Sequence, residues 1–508
     1  MDGINLDSTQ WSQIDSILKE VFKEYKPPGL AIGFFNGEGL IREWYKGYAK
    51  VKEKELVDGE TCFMIGSITK LFTLIAVMQQ WEKKRFQLDD KVNNFLPKGK
   101  IVTKKGWPAV TFQHLLTHTS GIGELRRFRD IFKKGFRLLT YDDQDIPPLS
   151  SLHDLPVYPA SPAGLKYAYS NIGVSLLGYI VENLSGMGFR EYVLKNILDP
   201  LQMHNSDLIR SEKIVPNEAF GYKSKNGKYI RTRRWNNIIK PSGALVSTVK
   251  DMANFGQMLI NRGIFKGHKI LEPETFDVIW TPRYYAHELL KDRHSIGLIY
   301  RIHKINGIRM VEHTGGVSGF NAQFCLFPDH NLGFYSFCNL NEGLHNRSTL
   351  SLRNRVVKTL TNLKEEFIPP KEPNTKYWGK IEGYYKAYPG FLTNTRLITE
   401  GIEFKIKQKG AKLIYSGLIG DQKGGDLLYP TENPLVFEIH HNEKEGIFYK
   451  SKYIFTLGDS EKIIDLSREL EKLRKVKFSQ TLRFKGLLVI IILIAITLFS
   501  ILINLSFI

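Results

Sequence analysis

The stretch FMIGSITKLFT, Phe63 to Thr73, sets a lysine inside a run of apolar residues and constrains the fold more than any other part of the chain. An unpaired buried ammonium is costly, so a fold that takes in this segment must surround Lys70 with partners or depress its pKa. Side chains three residues apart on a helix share a face, which brings Ser67 within reach of Lys70. Gly66 lets another segment approach closely, and a serine at a helix start meets the positive end of the helix dipole. Ser67 and Lys70 are therefore a candidate nucleophile and proton acceptor.

Spacing alone does not select this pair, because Ser-x-x-Lys recurs at Ser16/Lys19 and Ser247/Lys250. In WSQIDSILKEVFKEY the residues Ile14, Ile17, Val21 and Phe22 form an apolar stripe at helical spacing, which leaves Ser16 and Lys19 to solvent. In PSGALVSTVKDMANF a small polar residue ahead of a helical pattern, with Asp251 in its first turns, reads as a helix N-cap.

The chain has 508 residues, enough for two or more domains with a large core. Its formal charge of +19 would suit a nucleic-acid partner. Lys and Arg are nevertheless spread throughout with acids among them, and no RNP, zinc-finger or helix-turn-helix pattern is present, so no nucleic-acid partner is expected. Cys62, Cys325 and Cys338 each sit in apolar surroundings and imply no disulfide framework. The opening MDGINLDSTQW lacks a basic and an apolar signal region, consistent with reduced thiols and a body on the cytoplasmic side.

Strand signals begin with GLAIGFF (29–35) and GLIREWYKGYA (39–49), joined through Asn36-Gly37, a hairpin signal. The Ser67 segment opens a helix to about Arg85, followed by short helices and Gly-punctuated loops to Gly123. A second group of strands comes late, in IGLIYRIHKINGIRMVEH, HTGGVSGFNAQFCLFP and LGFYSFCNL, before a closing helix over 347–363. Prolines and charges at 366–376 mark a linker, and alternating apolar and polar residues over 377–460 predict a small antiparallel β domain. The run GLLVIIILIAITLFSILINLSFI, Gly486 to Ile508, can span ~30 Å of hydrocarbon as one helix. Ahead of it, 461–485 reads as a basic juxtamembrane segment with Arg468, Lys472, Arg474, Lys475, Lys477, Arg483 and Lys485. The positive-inside rule then predicts a single-pass C-terminal membrane anchor with the body on the cytoplasmic side.

Two further polar clusters stand in apolar frames: Tyr169-Ser170-Asn171, just before the helical pattern of NIGVSLLGYIVE, and His313-Thr314-Gly315-Gly316 in a strand-like run. Taken singly, Tyr169 and Asn171 could cap a helix and His313 could be a core histidine. In the order Ser-x-x-Lys, Tyr-x-Asn, His-Thr-Gly they resemble the serine β-lactamase and penicillin-binding-protein superfamily, especially its class C-like branch, over about residues 10–365. Tyrosine replaces the first serine of Ser-Asp-Asn, and histidine the lysine of Lys-Thr-Gly. LLTHTSG at 115–121 and GALVSTVKDMANF at 243–255 look like recurrent neighbours of those motifs. The β module after 376 is similar to the lipocalin-like accessory domain of some D-aminopeptidases.

The resemblance implies an α+β fold over 1–365: an antiparallel sheet flanked by helices, with an inserted helical subdomain and Ser67 at the junction. A small antiparallel β-barrel-like domain and the transmembrane helix would follow. It further implies an acyl-enzyme on Ser67, with Tyr169 or Lys70 taking its proton and Lys70 and His313 as cations able to hold a phenolate. Asn171, His313, Thr314 and Gly315 would bind substrate, and the amides of Ser67 and Gly316 would form the oxyanion hole, with no metal or organic cofactor. The expected substrate is a D-amino-acid peptide or small ester, because a histidine attracts a substrate carboxylate less than a lysine does and gains charge only on acidification. The alternatives are a true β-lactamase and a catalytically idle, membrane-tethered scaffold of the same fold. Oligomeric state is not legible in the residues.

Overall fold

The computed structural model describes residues 4, 6–124, 138–141, 145–341, 347–363, 374–387, 403–410, 412–417, 425–439 and 451–481. They form two compact units, one within 4–363 and the other within 374–481.

The first unit opens with helix α1 (Ser8–Tyr25), whose N-cap Asp7 accepts from the Gln10 amide while Gln10 reaches back in a capping box. Strands β1 (Gly29–Asn36) and β2 (Gly39–Lys50) follow as a hairpin whose turn is held by Asn36 Oδ1, which accepts from the Glu38 and Gly39 amides. With β3 (Glu55–Leu56) and the late strands β4 (Ser295–Ile296), β5 (Arg301–Ile305), β6 (Ile308–Val317), β7 (Phe320–Phe327) and β8 (Leu332–Cys338), they make one antiparallel sheet. Its order is β4-β5-β6-β7-β8-β1-β2-β3, so chain start and sheet end pair directly, with Leu30 opposite Cys338.

Alternation along the strands divides the core in two. Phe34 joins Ile14, Leu18 and Val21 of α1 and Leu352, Val356 and Val357 of the closing helix α5 (Arg347–Leu360) on one face. Phe35, its neighbour, joins Phe324, Tyr335 and the inserted helices on the other. That second layer contains α2 (Thr69–Glu82), α3 (Asn171–Ser185) and α4 (Val249–Ile260). Helix α2 is buried nearly all round, as befits a helix apolar on every side. The α+β arrangement is the one the motifs imply, with Ser67 where helical layer and sheet meet.

The second unit is a closed barrel of eight consecutive antiparallel strands from Gly383–Ala387 to Glu471–Val476, sealed by pairing of Tyr384 with Val476. Its interior is filled by Tyr385, Phe404, Tyr415, Phe437, Tyr453 and Phe455. The buried Arg468 guanidinium lies 4.4 Å from the Phe404 ring centroid and bonds Glu471 at 2.6 Å.

The barrel corrects the reading of 461–485. Its last strands, Ile463–Arg468 and Glu471–Val476, lie inside that stretch, so Arg468, Lys472, Arg474 and Lys475 belong to a folded domain rather than to a basic flank. Net charge concealed the buried Leu466 and Leu473 of these strands. The linker residues up to 373, Arg483, Lys485 and the apolar run 486–508 lie outside the described residues. Among the described residues no single helix is long and apolar enough to cross a membrane.

Candidate active site

Ser67 occupies a single 3₁₀ turn, Gly66–Ile68, that feeds α2. Backbone contacts to 242–247 hold this turn. Met64 and Phe63 pair with Val246 and Ser247, the Ile65 amide donates to the Leu245 carbonyl at 3.0 Å, and the Leu245 amide donates to Thr69 Oγ1 at 3.0 Å. Thr69 Oγ1 in turn donates to the Gly66 carbonyl at 2.6 Å. The buried polar groups of the turn thus have partners within it or across it.

Lys70 is fully buried, and its Nζ donates to Ser67 Oγ at 3.0 Å and to the Ser242 carbonyl at 2.5 Å. A carbonyl only accepts, so Lys70 is the donor toward Ser242. The same Nζ lies 5.0 Å from the centroid of the Tyr169 ring, within cation–π range. Ser242 also donates through Oγ to the Asn171 carbonyl at 2.5 Å, linking the Lys70 contact to the start of α3.

The cap of α3 is Ser170, whose Oγ accepts from the Gly173 amide at 2.9 Å and donates to the Gly123 carbonyl at 3.0 Å. Capping therefore does not involve Tyr169, whose ring lies beside Lys70 and His313. His118 brackets it from both sides. The His118 carbonyl accepts from the Ala168 amide at 2.7 Å, its Nδ1 accepts from the Ser170 amide at 3.2 Å, and its ring lies 4.5 Å from the Tyr169 ring. His118 adopts φ +56°, a conformation uncommon outside glycine, which lets one residue contact both amides.

Strand β6 brings in the last motif. Its pairing with β5 ends at Glu312, so 313–317 pair in the sheet with β7 alone, Gly315 opposite Ala322 and Gly316 opposite Asn321. This stretch runs against the nucleophile turn closely enough to require glycine. A Cβ on Gly315 would lie 2.0 Å from the Ile65 carbonyl oxygen, and one on Gly66, at φ +53°, would lie 2.8 Å from the Gly316 nitrogen. The amide of Gly316 is thereby beside the turn that carries Ser67.

His313 is buried with its ring 6.4 Å from that of Tyr169. Burial, reinforced by the Lys70 and Arg301 charges, lowers its pKa to about 3. Its Nδ1 bonds the Thr314 carbonyl at 2.8 Å, so the neutral ring carries its proton there and leaves Nε2 as an acceptor. This corrects the expectation that His313 is a second cation beside Tyr169 that charges on mild acidification. Apolar burial, which residue type does not reveal, keeps it neutral. Behind it, Glu312 bonds His303 at 3.1 Å and accepts from Arg353, whose guanidinium, with the His303 bond, holds its carboxyl far below the usual range despite burial.

The structure brings Ser67, Lys70, Tyr169, His313 and the 313–316 backbone together, and Asn171 adjoins them through its carbonyl. The sequence reading missed Ser242 and His118. Ser242 contacts Lys70 with a backbone carbonyl, which no residue type signals. His118 lies in LLTHTSG, and a histidine between two threonines just before Gly121 is its only signal. The other two Ser-x-x-Lys copies are separated by burial. Ser16 and Lys19 are both exposed, while Ser247 is buried against Ser206 Oγ at 2.7 Å and Lys250 pairs with Glu60. The cap of α4 is Thr248, one residue later than the serine.

Comparison with known proteins agrees with this geometry. Two solved structures match over most of the chain at a level that establishes fold alone. A penicillin-binding-protein homologue from Pyrococcus abyssi, described as octameric, is 24% identical with a TM-score of 0.58, covering 91% of this chain and 99% of that one. SurE is 18% identical with a TM-score of 0.62, covering 93% and 100%. Among curated sequences, Protein flp of Staphylococcus aureus (strain MW2) is 24% identical over 347 residues, 66% of this chain and 64% of its own length. Unguisins hydrolase ungD' of Aspergillus campestris is 24% identical over 344 residues, 63% of this chain and 59% of its own. The chain thus spans less than two thirds of these relatives. The family model described as Beta-lactamase matches residues 14–357, most of the chain and all the residues of the site, and the chain belongs to that family.

Proposed function

We propose that the protein is a serine hydrolase that works through an acyl-enzyme on Ser67 and acts on a peptide of D-amino-acid type or a small ester. The observation that carries this reading is the buried Lys70 ammonium, donating to Ser67 Oγ at 3.0 Å and facing the Tyr169 ring. Tyr169 is the proposed acceptor of the serine proton, with Lys70, held by its bond to the Ser242 carbonyl, beside both groups. A phenol has an ordinary pKa near 10 and is a weak base at neutral pH, but a neighbouring cation favours its phenolate. Lys70 is that cation, since His313 is neutral.

Ser67 Oγ attacks the substrate carbonyl carbon as its proton passes to Tyr169, and the resulting oxyanion is received by the amides of Ser67 and Gly316. Collapse of the tetrahedral intermediate breaks the bond to the leaving amine or alcohol, which takes the proton from Tyr169. Water then attacks the ester and gives a proton to Tyr169, and collapse breaks the acyl–Oγ bond as Tyr169 passes that proton to Ser67 Oγ, releasing the acid and restoring Ser67. Each oxyanion donor of this kind is worth about 3 kcal/mol of barrier. Asn171, His313, Thr314 and Gly315 line the path of the substrate. The one-sided pairing of 313–317 suits an extended peptide lying along that edge.

Substrate class follows from His313. A neutral ring offering Nε2 as an acceptor does not attract a carboxylate, the group that a lysine at this position would hold. A structure of SurE contains D-Leu, which supports a D-amino-acid substrate for a chain of this fold. The decisive experiment compares nitrocefin, short p-nitrophenyl esters and D-amino-acid peptides with wild-type and Ser67→Ala protein. Turnover of esters or peptides that is lost in Ser67→Ala is the expected result. Nitrocefin turnover with kcat/KM above ~10⁶ M⁻¹s⁻¹ while esters and peptides stay inert would make the protein a β-lactamase. No turnover and no acylation of Ser67 would leave the idle scaffold. We further propose that 486–508 anchors the chain in a membrane with its body on the cytoplasmic side; protease treatment of intact cells that spares the body is the expected result, and digestion from outside would reverse the topology.

A further inference from the structure

The hairpin Tyr222–Lys225 and Lys228–Arg231 takes no part in the site, yet nine consecutive residues, 223–231, are exposed. Its turn is Asn226-Gly227, both at positive φ, as a two-residue hairpin requires. The register fixes which side chains share a face. Tyr222 lies opposite Arg231 and Ser224 opposite Tyr229; Lys223 lies opposite Ile230 and Lys225 opposite Lys228. The first set faces the protein: Tyr222 is buried and its hydroxyl accepts from the Val51 amide at 2.8 Å, Tyr229 donates to the Lys26 carbonyl at 2.5 Å, and Arg231 stacks on Phe220 at 3.4 Å.

The second set therefore faces away from the protein. It consists of three lysines around one isoleucine that is 40% exposed, with no acidic residue anywhere in 222–231. At the base of the hairpin Lys50 is neutralised by Glu55 at 2.8 Å, whereas Lys225 and Lys228 oppose one another directly across the ladder. Like charges in that position disfavour a hairpin, and an external anion would relieve the repulsion between Lys225 and Lys228. An apolar side chain at the centre of a cationic face suits a lipid interface, where the lysines meet headgroups and the isoleucine enters the acyl boundary.

We infer that the Lys223, Lys225, Lys228 and Ile230 face docks on an anionic membrane surface. A membrane is favoured over an acidic polypeptide by the central isoleucine and by the apolar run 486–508 in the same chain, which would tether the body within reach of a bilayer. The inference does not depend on the hydrolase reading, because the hairpin holds none of its residues.

Cys62, Cys325 and Cys338 are all buried, so an Ile230→Cys variant of the full chain can be labelled at one site with an environment-sensitive fluorophore. In vesicles containing phosphatidylserine the label should shift to the blue and be quenched by quencher-bearing lipids. In phosphatidylcholine vesicles it should not, and the shift should be lost in Lys223→Glu/Lys225→Glu/Lys228→Glu and at high salt, where screening is strong. A Lys228→Cys label, at the headgroup level, should respond to the same lipids with less quenching. Water-exposed emission that is identical in both vesicle types would overturn the inference. So would a shift produced by polyglutamate in solution but not by phosphatidylserine, which would reassign the face to an acidic polypeptide. Unchanged melting temperatures in the variants would show that the hairpin remains folded.

Discussion

Ser67 and Ser247 each precede a lysine by three residues, and their segments are hydrogen-bonded neighbours, with Phe63 paired to Ser247. In the first pair Lys70 is fully buried and donates to its serine. In the second Lys250 is about half exposed, paired with Glu60 at 2.7 Å, and Ser247 turns inward to Ser206. The two serines are almost equally buried, so serine burial does not separate them. What differs is the lysine. Both helices are largely buried, but Lys70 lies within the unbroken buried stretch 69–78 of α2, whereas Lys250 is the exposed residue in the first turn of α4.

The sharpest way to break this contrast is to remove each hydroxyl. Ser67→Ala should lower kcat by ~10⁴-fold or more, as loss of a nucleophile does in other serine hydrolases. Ser247→Ala should leave kcat within about threefold and instead lower the melting temperature, since a buried Ser206–Ser247–Asp251 network loses a member worth ~1 kcal/mol. If the two variants had equal kcat, the contrast would carry no chemistry.

Lys70→Ala and Tyr169→Phe should each slow acylation by ~10²-fold or more in single-turnover measurements, whereas Lys250→Ala should not. A smaller effect is expected from His118→Ala. This residue holds the amides on both sides of Tyr169 and touches no substrate, so about a tenfold fall in kcat with little change in KM should result. A change in KM alone would show that His118 does not act through Tyr169.

The smallest effects are those of pH. His153 and His313 both have pKa values lowered to about 3 by burial, so between pH ~6.5 and ~3 the unfolded chain binds protons that the folded chain excludes. Stability should therefore be full above ~6.5 and fall as pH drops, by at most ~1.4 kcal/mol per pH unit for each histidine. Glu312, lowered in the fold, adds a loss of the same sign below its ordinary 4.5. Melting curves from pH 7 to 4 test this, and a melting temperature that is flat or rises on acidification would contradict it. Ester kcat/KM, by contrast, should show no inflection from His313 near pH 6.5. His313→Lys should raise acylation by carboxylate-bearing penicillins relative to esters by about tenfold, the effect of ~1.4 kcal/mol of charge attraction.

The side chains gathered at the candidate site were legible in the residues because they stand in rare combinations: a lysine in an apolar frame, Tyr-x-Asn before a helix, and His-Thr-Gly in a strand. The sheet halves were legible through hairpin signals such as Asn306-Gly307, both at positive φ between β5 and β6. What escaped the sequence was carried by the backbone or by environment. The Ser242 carbonyl that receives Lys70 could belong to any residue, and the neutrality of His313 depends on burial. The end of the barrel was hidden by a different cause, because EKLRKV has the charge of a basic flank yet buries Leu473 as a strand.

The central claim is that one buried Ser–Lys pair, out of three with the same spacing, carries the chemistry. Reaction of the intact protein with a fluorophosphonate or penicillin, followed by mass mapping of the adduct, tests it most directly. A single stoichiometric adduct on Ser67, absent from Ser67→Ala and retained in Ser247→Ala, is the expected result. A stoichiometric adduct on any other residue, or one that persists in Ser67→Ala, would contradict it.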